Sequence, residues 1–271
     1  MGVGKMNLDL SSTQIVNGST RSETGTIDDP HGGGQGPVLE IDLRTEPARV
    51  RFGEQQLELD ARPPRRRNRL TVRVLDVVGS IAALLALAPV YAALALCVRV
   101  TSKGPILYRS PRVSQDGGVF NAYKFRSMVV DADAALEHLL ATDPTARREY
   151  GATHKLRNDP RLTPIGSFIR RTSLDELPQF FNVLMGDMSL VGPRPKLPSE
   201  RNLYGQTLPT VLRVKPGITG LWQVSGRSDL PFDERIFLDL DYALNRSLAK
   251  DAKICAITVR QAFEPSEHGA Y

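Results

Sequence analysis

From Val77 to Val98 the chain runs for 22 residues without a charged side chain, and nothing else in it restricts the fold as much. As a helix, such a run is long enough to cross the hydrocarbon core of a bilayer. Pro89 lies near its middle, where it removes a backbone hydrogen bond and crowds the preceding turn, so a kink or break is expected at Ala88-Pro89. Basic residues flank both ends: Arg65, Arg66, Arg67, Arg69 and Arg73 before the run, and Arg99, Lys103, Arg109 and Arg112 after it. Positive flanks favour the cytoplasmic side. A straight span sends one cluster outside, whereas a helix that enters, breaks and returns keeps both inside, and re-entry is the expectation. The run starts far from the N-terminus behind a long polar stretch, unlike a cleavable leader. Either geometry leaves the large C-terminal part in the cytoplasm.

Ahead of this run, residues 1–68 mix Gly, Ser, Thr, Asp and Pro with little apolar periodicity, the composition of a disordered arm. Its first sixty residues are acidic on balance, so the net charge of +5 and pI near 9.3 belong to the remainder. A basic body can face nucleic acid, anionic lipid or phosphate-bearing substrates, and charge alone does not separate them. "HGGGQG" at residues 31–36 has no strand before it, no helix after it and no Walker lysine, so it reads as linker. "RVRFGEQQLEL" is a short strand-like piece. Cys97 and Cys255 form no disulfide framework or zinc pattern and suit a reducing compartment. His31, His138, His154 and His268 are scattered and receive no role.

The chain therefore divides into an arm (1–68), a membrane helix (69–100) and a cytoplasmic domain (101–271). In the last, "PILYRSPRVSQDGGVFNAYKFRSM" predicts a hairpin turning at Asp116-Gly117-Gly118, with Lys124 and Arg126 closing its second strand as a basic edge or as phosphate contacts. Residues 131–150 predict a helix that Pro144 ends or bends. "NDPRLTPIGSFIRR" supplies a short helix ending at Arg170 and Arg171. "VKPGITGLWQVSGRSD" reads as loop, and helical patterns follow at 232–245 and 248–263. No internal repeat is visible.

The stretch "RRTSLDELPQFFNVLMGDMSLVGPRP" puts Asp175 and Glu176 into an apparent first helical turn. Ser173 with Glu176 three residues on has the spacing of a capping box, and Leu174, Leu177, Phe181 and Leu184 have that of a buried helical face. Spacing alone leaves capping and chemistry both open. Two D-x-D patterns, Asp131 to Asp133 and Asp239 to Asp241, raise a metal-dependent glycosyltransferase or nucleotide-sugar hydrolase. Both lie in helical patterns rather than after a strand, and two acids two apart on a helix face different ways.

From about Val72 to Tyr271 the sequence resembles the bacterial sugar transferase family, the monotopic polyprenyl-phosphate phosphoglycosyl transferases, through "GPILYRSPR", "YKFRSM", "DPRLTPIGSFIRRTSLDELPQFFNVLMGDMSLVGPRP", "VKPGITGLWQVSGRSDLPFDER", "LDLDYALNRSL" and the terminal "GAY". The resemblance implies an α+β, mainly helical monotopic membrane protein. Its membrane helix re-enters at Ala88-Pro89, and a small β-hairpin and a helical catalytic domain lie on the cytoplasmic side of the bacterial inner membrane. It implies Asp175 as nucleophile and Glu176 as its partner, both serving a magnesium ion, with Lys124, Arg126, Arg170, Arg171 and Arg194 as substrate contacts. A helix N-terminal dipole should keep Asp175 ionised and gather phosphate oxygens. The implied partners are a UDP-sugar, polyprenyl (undecaprenyl) phosphate and the inner leaflet, with no nucleic acid, and a homodimer stays open. The implied reaction is phosphosugar transfer with release of UMP, as the first step of exopolysaccharide or other glycoconjugate synthesis. Against it stand the D-x-D enzymes and a membrane-tethered adaptor whose acids only cap a helix. The chain departs from the family at Ser110-Pro111 and Ser114 in the hairpin, and at Arg246, where the family commonly has tryptophan.

Overall fold

A computed structural model describes residues 39–42, 48–52, 55–59, 69–153, 156, 159–226 and 230–263. The glycine run at 31–36, the arginines at 65–67, His31, His154, His268 and the terminal "GAY" lie outside these. Within the stretch expected to be a disordered arm, β1 (Leu39–Asp42), β2 (Ala48–Phe52) and β3 (Gln55–Leu59) form an antiparallel meander in which Ile41 pairs with Val50 and Val50 with Leu57. The arm is thus not without regular structure. The alternation of apolar residues in "RVRF" and "QLEL" is a strand-pairing pattern that the polar average of the segment conceals.

The uncharged run folds as two helices, α1 (Arg69–Ala86) and α2 (Ala88–Thr101), bent by 64° about Leu87. Pro89 falls in the first turn of α2, where its missing N–H costs nothing. The break sits at the expected place. Among the described residues no single helix is long and apolar enough to cross a membrane, while the bent pair together has the length and composition.

Strands β4 (Leu107–Val113) and β5 (Val119–Phe125) form the expected hairpin, in unbroken register from Leu107 against Phe125 to Val113 against Val119. Ser114 fits the turn, because its hydroxyl and the Gly118 N–H both bond the Asp116 carboxylate, and Gly117 takes φ 83°. Pro144 divides the next helical pattern into α3 (Ala132–Thr142) and α4 (Pro144–Thr153). Helix α5 (Pro164–Arg171) starts at Thr163, whose Oγ1 accepts from the Gly166 N–H at 3.0 Å. Gly166 lies against the backbone of Ser127, and a Cβ there would fall 1.8 Å from the Ser127 carbonyl. Glycine thus lets α5 dock at the end of β5.

After a 3₁₀ turn at Leu174–Glu176 come α6 (Gln179–Met185) and β6 (Ser189–Val191), then short helices α7 (Arg201–Tyr204) and α8 (Leu208–Val211). The segment expected to be loop contains β7 (Gly217–Thr219), parallel to β6, and α9 (Leu221–Ser225). Helices α10 (Phe232–Asn245) and α11 (Leu248–Phe263) complete the chain as their periodicity predicts. α10 buries Ile236, Leu240 and Leu244 against Tyr204 and Val211, while Ala243 and Tyr242 join Ile254 of α11 beside Val191 and Val224.

Helix α1 reverses this pattern. Asp76 and Ser80 are buried, whereas Leu70, Val74, Leu75, Val78, Ile81 and Leu85 are exposed, Leu85 at 72%. Asp76 accepts from Ser189 Oγ and the Leu190 N–H, each at 2.9 Å, which docks α1 on β6. Arg73 sends Nη1 and Nη2 to the carbonyls of Val183 and Leu184 at 2.5 and 2.6 Å, so it caps the C-terminal end of α6. The inner face of α2 is apolar: Leu94 and Val98 pack with Phe125 and Ile169 beneath Leu174 and Leu177. Burying a side chain of this size contributes roughly 1.5–3 kcal/mol.

Candidate active site

Asp175 and Glu176 do not stand in the first turn of a helix. Pro178 has no N–H to continue a hydrogen-bond ladder back to Leu174, so residues 174–176 close a separate 3₁₀ turn and α6 begins only at Gln179. Ser173 takes φ 58°, alone among the described non-glycine residues in being left-handed, and its side chain caps nothing. The capping-box expectation fails on both members, since Glu176 turns to a lysine. The expected apolar stripe holds in part: Leu174 and Leu177 pack on the cluster of Leu94, Val98, Phe125 and Ile169, and Leu184 is half-buried. Val183 is buried with Gln179 and Asn182, while Phe181 is 44% exposed. Hydrogen bonds as well as apolar contacts hold α6 in place.

Asn182 is the main stitch. Its Oδ1 accepts from the Tyr123 N–H and its Nδ2 donates to the Asn121 carbonyl, both at 2.8 Å, fixing α6 along β5. That alignment brings the next residue of the strand, Lys124, to the acids. Lys124 Nζ lies 2.5 Å from Glu176 Oε1 and 3.7 Å from Asp175 Oδ2. The two carboxylates differ in exposure: the Asp175 side chain is 9% accessible and that of Glu176 39%.

Their protonation is pushed in opposite directions. Burial raises Asp175 to about 6, with Lys124 and Arg170 opposing the rise and Glu176 adding to it. Burial also acts to raise Glu176, but the charge and hydrogen bond of Lys124, helped by Arg194 and Arg112, prevail and hold it below its ordinary value. Asp175 therefore stays ionised near neutrality because of Lys124 and Arg170, against its burial, and not through a helix dipole. A pair of carboxylates driven apart by their surroundings is the pattern of an acid–base or nucleophilic site.

The other expected contacts separate. Arg170 is exposed and its charge reaches Asp175. Arg194 acts on Glu176 and lies 5.9 Å from the Trp222 ring, whose neighbour Arg235 lies at 5.5 Å. Arg171 is exposed on the last turn of α5. Arg126 is buried elsewhere, donating to the carbonyls of Ser102 and Lys103 at the end of α2 at 2.7 and 2.8 Å. It closes the helix and does not join the residues about Asp175.

Two contributors were not singled out from the sequence. Arg112 is buried on β4, donates to the Pro195 carbonyl at 3.0 Å and adds its charge near Glu176 and Arg194. Tyr91, inside the uncharged run, donates its hydroxyl to the Leu177 carbonyl, and its ring packs against Phe125 and Phe181. The alternation of the hairpin could have marked Arg112 as inward-facing, but nothing local marks Tyr91.

Among the described residues no three His, Cys, Asp or Glu side chains gather as a metal cluster. Magnesium needs less, one or two carboxylates with substrate phosphates filling the remaining positions. Asp175 and the more exposed Glu176 are such a donor pair, so the residues fit that ion. Of the D-x-D acids, Asp239 and Asp241 do not form a pair. Asp239 is buried with Lys196 at 3.2 Å and the Tyr204 hydroxyl at 3.0 Å, whereas Asp241 bonds Lys250 at 2.7 Å and Asn245 at 2.8 Å.

A family model described as bacterial sugar transferase matches residues 67–265. The undecaprenyl-phosphate galactose phosphotransferase of Salmonella typhimurium is 46% identical over 208 residues, covering 76% of this chain and 43% of that protein. The UDP-glucose:undecaprenyl-phosphate glucose-1-phosphate transferase of Escherichia coli is 39% identical over 204 residues, covering 72% and 41%. The exopolysaccharide production protein ExoY of Sinorhizobium fredii is 40% identical over 190 residues, covering 70% and 84%. The chain thus spans about two-fifths of the length of the first two and most of the third.

Proposed function

The chain belongs to the bacterial sugar transferase family, and on that premise we propose that it is a phosphoglycosyl transferase moving a phosphosugar from a UDP-sugar to polyprenyl phosphate. The observation that carries the reading is the Asp175-Lys124-Glu176 arrangement, one buried and one accessible carboxylate sharing a lysine. An Asp175 carboxylate oxygen attacks the sugar-bearing phosphorus of the donor. A bond forms between that oxygen and phosphorus, and the bond from phosphorus to the bridging oxygen breaks, releasing UMP. A phosphate oxygen of the polyprenyl carrier then attacks the same phosphorus, and the Asp175 carboxylate leaves unchanged.

Lys124 orients Asp175 and offsets the repulsion between carboxylate and diphosphate. Arg170, Arg194 and Arg112 bring further positive charge to the donor's phosphates. Asp175 and Glu176 would hold a magnesium ion, which when bound neutralises charge on the transferring group. Membrane placement follows from the acceptor, whose chain is buried in lipid. The bend at Leu87 and the inside-out face of α1 support a re-entrant hairpin in the inner leaflet, with the site at the cytoplasmic boundary.

The test is incubation of the full chain with a radiolabelled UDP-sugar and magnesium, without acceptor. One equivalent of UMP and a labelled Asp175 peptide are expected, and Asp175→Asn should yield neither. UDP as product, or normal turnover by Asp175→Asn, overturns the reading.

A further inference from the structure

At the foot of α1, away from Asp175, a cavity of about 340 Å³ lies between Val72, Arg73, the hairpin-tip residue Gln115, Val214, Lys215 and Arg246. It is of ligand size. The hairpin separates it from the catalytic turn: Lys124 stands near the open end of β5 and Gln115 beyond the other, roughly 17 Å of strand away.

Three cations, Arg73, Lys215 and Arg246, line this cavity against one acid, Asp76. Asp76 keeps its negative charge, since the Ser189 hydroxyl and the Leu190 N–H that hold its oxygens are neutral, and it offsets one of the cations. The bonds of Arg73 go to the Val183 and Leu184 carbonyls and that of Lys215 to the Gly186 carbonyl at 2.6 Å. Neutral carbonyls satisfy the donors of Arg73 and Lys215 without cancelling their charge, so these two outweigh Asp76 and net positive potential is left in a recess whose remaining wall is largely aliphatic and aromatic, which strengthens the field inside it. The same two turns of α1 that supply Val72 and Arg73 carry the exposed Leu70, Val74 and Leu75 on their outer face.

We propose that this cavity is an anion site, distinct from the catalytic one, that takes the phosphate of an anionic glycerophosphate head, borne by a membrane lipid or by a small soluble ester. Arginine and lysine at close quarters are the side chains that recognise such a group. The wall of Val191, Val214 and the Tyr242 ring accommodates the glycerol carbons. The lipid source rests on the membrane placement proposed above, and phosphate recognition does not.

The experiment titrates the full chain in neutral detergent, without UDP-sugar or magnesium, with short-chain phosphatidylglycerol, short-chain phosphatidylcholine and glycerol 3-phosphate, reading stoichiometry and affinity by native mass spectrometry. One phosphatidylglycerol per chain, bound about tenfold more tightly than phosphatidylcholine, identifies the lipid source, and binding of glycerol 3-phosphate alone identifies the soluble one. In either case Lys215→Gln, which removes a charge, and Gln115→Trp, which puts a larger uncharged side chain in the lining, should each weaken binding about tenfold, while Lys124→Met leaves it unchanged. Thermal unfolding of each variant serves as the folding control. Absence of one-to-one binding, indifference to both cavity variants, or loss only in Lys124→Met overturns the proposal. A failed adduct test at Asp175 would leave all these readings as they are.

Discussion

Two pairs of acids on this chain have much the same sequence appearance and opposite fates. Asp239 and Asp241 sit on α10, and each is absorbed by its own cation, Asp239 in the core by Lys196 and Asp241 near the surface by Lys250. Asp175 and Glu176 sit on a 3₁₀ turn that Pro178 isolates from α6, and they compete for one lysine. The difference teaches that shared rather than private compensation leaves a carboxylate available for chemistry. A private partner makes an acid structural; a shared one leaves it poised.

The largest contrast should appear in turnover. Asp175→Asn is expected to lower phosphosugar transfer by about a thousandfold or more, whereas Asp241→Asn should stay within about twofold, as measured by radiolabel transfer to lipid. Asp239→Asn should act on the fold: it leaves Lys196 buried beside a neutral group, at a cost of about 3 kcal/mol, read as a lower midpoint in denaturant.

Asp175 should also register in the pH dependence of stability. Its folded-state value of about 6 exceeds the ordinary 3.8, so the folded chain binds the proton more tightly and stability falls as pH rises from about 4 through 6. In EDTA, Asp175→Asn should therefore be more stable than the parent at pH 8, by up to about 3 kcal/mol. The gain should vanish near pH 4. Catalysis should change the other way, falling as pH drops through about 6 and the nucleophile takes up its proton.

The smallest expected effect lies at Tyr91. Tyr91→Phe removes only the hydroxyl bonded to the Leu177 carbonyl, so kcat should fall about three- to tenfold with the donor KM unchanged, a loss of about 1 kcal/mol. An unchanged kcat would separate α2 from the behaviour of the shared pair.

Much of the fold was legible because its signals are local. Pro89 marks the break, Asp116-Gly117-Gly118 the hairpin turn, Pro144 the division of α3 from α4, and plain periodicity the spans of α10 and α11. What escaped depends on contacts distant in sequence. β6 and β7 are three residues each, brought together where Gly192 and Gly217 let two backbones touch; a Cβ on Gly217 would fall 2.1 Å from the Gly192 nitrogen. Asp175 and Glu176 were legible as acids but not in their setting, since Ser173 adopts a conformation serine seldom takes and Asn182, a polar residue, occupies the most buried side of α6. Arg126 looked like a substrate contact because it is basic and two residues from Lys124, yet β5 ends at Phe125 and Arg126, past the strand, bonds the carbonyls at the end of α2.

Tyr91 and Arg73 grip the segment bearing the acids from its two sides, one at the Leu177 carbonyl and the other at those of Val183 and Leu184. Each belongs to a different arm of the same bent hairpin. The bent pair is therefore an interlock: the turn that bears the acids is held from both arms at once. A chain in which α1 and α2 were not seated would lose both grips at once, and with them the geometry that lets Asp175 and Glu176 share Lys124.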